Sequence, residues 1–283
     1  MDANAPIEEV PLQAGDGHAF LLRRTRPAAA TSGLLFMPAL GVPARKYDPL
    51  LQSLAAHGVA AAVPEWRGIG SSSWRARRGR DWGYAELLGQ DLPAALDALD
   101  GGTAWHFGGH SLGGQFAAML AALHPPRCRG LVLVATGVPD HRLYRGSKRL
   151  GIAAFAHALP PLTRLVGHYP GEKFGFAGRE AGGVMRDWAA TVRTARYRDY
   201  GQGAPLDERL SALRLPALGI TFERDWLVPA ASLQALFDKL GGGTHRVESF
   251  DDARLGTTAD HFRWMRSPGA VARVVAEALP LSP

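Results

Sequence analysis

The stretch Ala104-Trp105-His106-Phe107-Gly108-Gly109-His110-Ser111-Leu112-Gly113-Gly114-Gln115-Phe116 decides the reading of the fold. An apolar run of strand character, Ala104 to Gly108, meets a small-residue helix pattern that continues to Leu123. Gly109-His110-Ser111-Leu112-Gly113 sits at the junction. So sharp a turn leaves no room for side chains two residues before and two after its serine, and both positions are glycine. It lifts the Ser111 hydroxyl clear of a sheet and aims it at a helix N-terminus, where unpaired N–H groups stabilise negative charge. Glycine and serine at this spacing are weak evidence alone: with 34 Gly in the chain, chance supplies roughly 0.2 matches. The plain alternative is a glycine-rich turn whose Ser111 caps a helix.

Upstream, the pattern alternates. His18 to Arg26 reads as a strand after an extended N-terminal piece, and Thr31 to Gly41 as an apolar strand ending in Pro and Gly. Arg45 to His57 has helical spacing stopped by Gly58, and Val59 to Trp66 is the next strand. Asp91 is expected to cap a helix with Pro93 in its first turn, running to about Leu99. Downstream, Arg129 to Thr136 is a continuous apolar strand of the kind buried on both faces. This predicts an α/β fold: a mostly parallel central sheet with helices on both faces.

The rhythm stops after that strand. Residues 138–213 show no clear strand and two clear helical pieces, Ser147 to Leu159 and Glu180 to Ala195. Then Leu215 to Phe222 (strand), Ala230 to Leu240 (helix), His245 to Phe250 (strand) and Gly269 to Leu279 (helix) resume it. The expected organisation is a core of residues 1–137 and 214–283, with 138–213 as a helical cap over the carboxyl ends of the strands, where open α/β sheets bind ligands.

A serine hydroxyl needs a base. The turn at Gly109–Gly113 has the form of a nucleophile elbow, and His261 lies between the last strand and the last helix, where that architecture expects the histidine; His245 begins a strand and is weaker. His110 cannot easily swing back onto the adjacent Ser111. The acid that orients the imidazole is expected to be Asp225, a short loop after the strand at 215–222, with Glu223 the main rival. Asp251, Asp252 and Asp260 are remoter choices. An oxyanion hole takes one N–H from Leu112 and a second from Ala39 or Leu40, between which the motif does not decide. Tyr144, Phe155, Tyr169, Phe174, Phe176 and Trp188 in the insert either line a substrate pocket or form the cap's own core.

Composition narrows the classes. The 283 residues are 46% hydrophobic and 20% charged, which fits one large globular α/β chain and argues against disorder. Cys128 is the single cysteine, so neither an intrachain disulfide nor a cysteine zinc site is expected, in keeping with a reducing compartment. An acidic, polar N-terminus without a signal pattern and the lack of a long apolar run predict a cytoplasmic protein with no membrane span. The chemistry calls for no cofactor and no metal, and for a small-molecule acyl substrate. Nucleic acid is not expected, and oligomeric state is not readable. Residues 138–205 hold 11 basic and 5 acidic side chains, the whole +6 excess of the chain. Arg142, Arg145, Lys148 and Arg149 open that segment, Arg193, Arg196 and Arg198 close it, and the loop with Arg75, Arg77, Arg78 and Arg80 adds to it. This is either a solvated face or an attraction for an anionic substrate.

Over about residues 15–280 the chain resembles the α/β-hydrolase superfamily, and within it a poorly characterised bacterial subgroup of predicted serine hydrolases. The resemblance lies in Pro38-Ala39-Leu40-Gly41-Val42-Pro43-Ala44, Trp66-Arg67-Gly68-Ile69-Gly70-Ser71, Gly109 to Gln115, Asp225-Trp226-Leu227-Val228-Pro229, His168-Tyr169-Pro170-Gly171 and Asp260-His261-Phe262-Arg263. It implies a Ser111, Asp225, His261 triad with Leu112 and Leu40 or Ala39 at the oxyanion hole. It further implies hydrolysis of a carboxylic ester or thioester with an apolar acyl group. An amide-cleaving, aminopeptidase-like hydrolase and a non-catalytic ligand binder are the alternatives. The sequence departs from the family at Asp260, where glycine is usual, and at Trp66, where tyrosine is common.

Overall fold

The computed structural model describes residues 5–173, 175 and 177–279. Among these, eight strands form one sheet in the order β1-β2-β4-β3-β5-β6-β9-β10. The hairpin of β1 (Glu8–Gln13) and β2 (Ala19–Thr25) is antiparallel, and β2 runs antiparallel to β4 (Ala60–Pro64). From β4 through β3 (Ser32–Met37), β5 (Ala104–His110), β6 (Leu131–Val134), β9 (Ala217–Phe222) and β10 (His245–Phe250) every pairing is parallel. A small ladder, β7 (Tyr169–Pro170) with β8 (Arg179–Glu180), lies in the insert, where no strand was expected.

Period-two alternation divides the core into two layers. Leu35 and Met37 of β3 point into one apolar cluster, which α3 (Leu92–Asp97), α4 (Leu112–Leu123), α7 (Leu206–Ala212) and α8 (Ala230–Phe237) complete. Leu34 and Phe36 point into the other, closed by α1 (Asp48–Ala56) and α10 (Gly269–Ala278). The short α2 (Tyr84–Glu86) and α9 (Asp252–Leu255) finish their loops. Parallel pairing brings the carboxyl ends of β3, β5, β6, β9 and β10 to one edge: Met37 pairs with Gly109, His110 with Val134, Val134 with Ile220, and Phe222 with Phe250. Everything that follows those strands therefore meets at a single rim.

Asp91 does not cap a helix. The helix begins earlier, at Tyr84, and passes through a π turn at Leu87–Asp91. The carboxylate is buried and accepts from His18 Nδ1 (2.9 Å) and from Arg67 Nε (2.9 Å). A fully buried guanidinium needs such a partner more than a helix needs a cap.

The insert packs α5 (Gly146–Val166) against α6 (Gly182–Thr194) around its own core of Ala156, Leu159, Tyr169, Met185, Ala189 and Val192. The helix expected to stop at Leu159 continues through Pro160 and Pro161. Pro160 has no N–H for the carbonyl of Ala156, four residues before it. Arg193 of α6 supplies the missing donor, with Nη1 2.6 Å from the Ala156 oxygen.

Candidate active site

Ser111 stands at the tip of the β5–α4 turn with φ 54° and ψ −121°, a conformation that strains any residue with a Cβ. The packing around it fixes the turn. A Cβ at Gly109 would lie 2.2 Å from Gly113 C, and one at Gly113 would lie 2.1 Å from the Met37 carbonyl oxygen. Ser111 N–H donates to the Val134 carbonyl (3.0 Å), and Thr136 Oγ1 donates to the Ser111 carbonyl. Neighbouring strands thus hold the strained residue in place.

The Asp225 carboxylate follows β9 and is nearly fully buried. Its Oδ1 accepts from the Leu227 and Val228 amides (2.8 and 3.0 Å), which leaves Oδ2 aimed at His261 Nδ1, 2.8 Å away. His261 is 1% exposed. Its ring packs on that of His110, the residue before Ser111, at 4.8 Å between centroids. The rival carboxylates are elsewhere. Glu223 is exposed; Asp251 accepts from Arg254 N; Asp252 pairs with Arg224; Asp260 accepts from the amides of Phe262 and Arg263. His245 stacks on Phe237.

The turn after β3 faces Ser111 from across the rim. Ala39 N–H already donates to the buried Tyr47 hydroxyl (2.9 Å), whereas Leu40 N–H has no hydrogen-bond partner among the described residues. Gly41 (φ 75°) closes the turn against the insert, where a Cβ would meet Gly178 N at 2.8 Å. Sequence reasoning missed Tyr47. Nothing in a helix-spaced tyrosine announces that its hydroxyl will reach Ala39 N–H and, at 2.9 Å, His110 Nδ1.

Ser111, Leu112 and Leu40 line a cavity of about 580 Å³ beneath the insert. Gly151, Ile152, Phe155, Ala158 and Leu162 of α5 form one wall, with Tyr144, Tyr169, Trp188, Trp226, Leu227 and Val228 around them. None of the lining residues carries a charge. Of the aromatics named from the sequence, Tyr169 belongs to the insert's buried core, and Phe155 and Trp188 pack against that core while facing the cavity. Tyr144 donates its hydroxyl to the Leu227 carbonyl (2.7 Å), and burial pushes it up to about 12. Phe174 and Phe176 lie outside the described residues.

A smaller void beside the elbow is lined by Leu40, Leu112, Trp66, Arg67 and the insert's Glu180. Burial raises the Glu180 carboxyl to about 7, against one stabilising bond from Gly178 N–H. The arginines are dispersed otherwise than their sequence clusters imply. Arg142 pairs with Asp140, Arg193 holds the Ala156 carbonyl and Arg198 pairs with Asp187. Arg77 and Arg78 instead meet Arg164 and Arg186 in a cleft of about 440 Å³ that also contains Asp81. Among the described residues no group of His, Cys, Asp and Glu is arranged to hold a metal ion, and no helix is long and apolar enough to cross a membrane.

A family model described as alpha/beta hydrolase fold matches residues 34–254, which run from β3 past β10. The chain belongs to the alpha/beta hydrolase family. A relative from Caulobacter sp. (strain K31), RutD, named for carbamate hydrolysis, is 27% identical over 226 residues, covering 77% of this chain and 82% of its own. The thioesterase domain from the curacin biosynthetic pathway superimposes with TM-score 0.62 at 15% identity, over 95% of this chain and 99% of that one. An esterase from Exiguobacterium antarcticum gives TM-score 0.65 at 13% identity, over 96% and 100%. At these identities the structural likeness speaks for the fold; hydrolase membership comes from the family match.

Proposed function

We propose that this hydrolase is a serine enzyme that cleaves a carboxylic ester or thioester with an apolar acyl group. One observation carries the reading: the buried Asp225–His261 pair packs, through the His261 ring on His110, one residue from a strained serine that lines an uncharged cavity. In the proposed reaction Ser111 Oγ attacks the acyl carbon and its proton passes to His261 Nε2. Asp225 holds Nδ1–H and stabilises the imidazolium. The carbonyl oxygen, now an anion, takes hydrogen bonds from Leu112 N–H and Leu40 N–H. Ala39, whose N–H is occupied by Tyr47, leaves that role to Leu40. His261 returns the proton to the departing alcohol or thiol, and water releases the acyl-enzyme by the same steps. Residues 138–213 act as a cap domain on a core of 1–137 and 214–283.

The cavity also weighs against the rivals. An aminopeptidase needs a carboxylate for the substrate's ammonium group, and none lines the cavity. A ligand binder has no use for a strained serine and a buried imidazole–carboxylate pair at the same rim. The four-arginine cleft favours a narrower form of the same reading, in which the acyl group arrives as a thioester on an anionic carrier.

The test is a panel of esters, thioesters and amides of graded acyl length, with Ser111→Ala beside the wild type. Hydrolysis of esters or thioesters with a chain-length optimum is expected, together with fluorophosphonate labelling. Both should be lost in the variant, kcat by a factor on the order of 10⁴ to 10⁶. Turnover that survives Ser111→Ala, or activity confined to amides, refutes the proposal.

A further inference from the structure

We infer that Tyr47 and His110 are a positioning pair that fixes the turn after β3 against the elbow, so that Leu40 N–H, not Ala39 N–H, meets the reacting oxygen. The inference rests on the serine-hydrolase reading above. Tyr47 ends the short 3₁₀ turn Ala44–Tyr47 that leads into α1, and both it and His110 are completely buried. The Tyr47 oxygen lies 2.9 Å from Ala39 N and 2.9 Å from His110 Nδ1. A backbone N–H can only donate, so the phenol oxygen accepts from Ala39 and its own proton is left for His110. Burial, and then the nearby His261, hold His110 well below the ordinary histidine range, so the ring is neutral. A neutral ring that accepts at Nδ1 carries its proton on Nε2, a buried atom with no hydrogen-bond partner of good geometry among the described residues. The direction of the whole chain is therefore set: Ala39 N–H to Tyr47 O–H to His110 Nδ1.

This chain crosses the site beneath the reacting groups. Ala39 precedes the proposed oxyanion donor, His110 precedes the proposed nucleophile, and the His110 ring lies against the proposed base at 4.8 Å. Trp264 packs edge-on to His110 at 5.3 Å and prevents the ring from turning away. Three segments remote in sequence are thus locked to one another by two side chains that touch no substrate. The hydroxyl of Tyr47 also removes the competing donor: without it, Ala39 N–H is a second free amide on a turn whose remaining ties are Trp66 Nε1 to the Pro38 carbonyl (2.8 Å) and Val42 N–H to the Ala39 carbonyl (3.1 Å), neither of which holds the Ala39 amide itself. Misplacing a donor by a fraction of its bond length weakens the transition state more than the ground state, because the oxyanion forms only during reaction.

Tyr47→Phe removes one oxygen atom and tests this. The probe is p-nitrophenyl hexanoate, with rates counted per active site titrated by a fluorophosphonate. The expected result is a fall in kcat of about tenfold or more with KM within about twofold. A trifluoromethyl ketone, which forms an oxyanion adduct on the serine, should lose affinity by the same factor as kcat/KM, while inhibition by hexanoate stays level. His110→Leu should reproduce the loss, the double variant should be no worse than either single one, and His110→Asn, which keeps an acceptor near Nδ1, should recover most of it. If Tyr47→Phe does not fold, the comparison of His110→Leu with His110→Asn decides. A wild-type kcat in Tyr47→Phe, equal losses from Leu and Asn at 110, or losses that vanish on correcting for titrated sites would overturn the inference. A wild type that neither hydrolyses the probe nor takes the label sinks the serine-hydrolase reading instead.

Discussion

Replacing Glu180 by glutamine is expected to stabilise the protein in alkaline but not in acidic solution. Glu180 is 4% exposed, packed between the insert and the elbow, and among the described residues receives one hydrogen bond, at Oε1 from Gly178. Burial raises its carboxyl from 4.5 to about 7. Between those two values the folded protein holds a proton that the unfolded chain has released, so stability falls as pH rises through this window and the loss is complete above about 7. The difference amounts to about 3 kcal/mol. With an unfolding entropy near 2.1 cal/mol/K per residue, a chain of this size shifts its Tm by about 5 °C for that energy. Glutamine is isosteric, keeps an acceptor for Gly178 N–H and never ionises. Thermal melts of wild type and Glu180→Gln should therefore nearly coincide at about pH 4.5 and separate by about 5 °C at about pH 8.5, the variant being higher. A constant offset at both pH values, or none at either, would show that the carboxyl ionises without penalty and that the reasoning from its burial is wrong.

Asp225→Asn should lower kcat by about 10⁴ while Glu223→Gln leaves it near wild type, since only Asp225 reaches His261 Nδ1; equal effects in steady-state assays would unseat Asp225. Ala158→Phe narrows the α5 wall of the cavity and should shift the preferred acyl chain to shorter lengths with little change on acetyl esters; an unchanged chain-length profile would move the acyl site elsewhere. Added salt should depress kcat/KM for an anionic carrier thioester far more than for a neutral ester of the same acid, and Arg77→Glu with Arg164→Glu should flatten that dependence. Identical salt profiles would leave the arginine cleft without a part in binding.

The main lines of the fold were legible because they follow from local rules. Glycines at 109 and 113 are forced by backbone contact, and the alternation of apolar strands with helices leaves few topologies. The pairing of Asp225 with His261 was legible for the same reason, since each residue follows a recognisable strand. What stayed hidden depends on partners distant in sequence. Asp91 looked like a cap because nothing nearby reveals that Arg67 and His18 fold onto it. Pro160 looked like a helix end because the donor that replaces its missing N–H is Arg193, on another helix. The choice between Ala39 and Leu40 was open because nothing in the sequence shows that the Tyr47 hydroxyl takes the Ala39 N–H, the observation on which the proposal for Leu40 rests. The insert's basic excess could be counted, but most of those arginines proved to be satisfying carbonyls and carboxylates.

The strands on either side of the insert are direct neighbours, with Leu131 of β6 opposite Ala217 of β9. The helix that carries the chain back between them, α7, packs on α4 and belongs to the core layer. A complete strand–helix–strand crossover therefore exists without α5, α6 or the β7–β8 ladder, which hang from it as a detour. Mutation can lengthen, shorten or rewrite that detour while the sheet, its register and the strained serine persist. The architecture separates evolvability from foldability: the cavity wall that α5 supplies can drift with the detour, and a graft of a foreign one is the natural route to reshaping it.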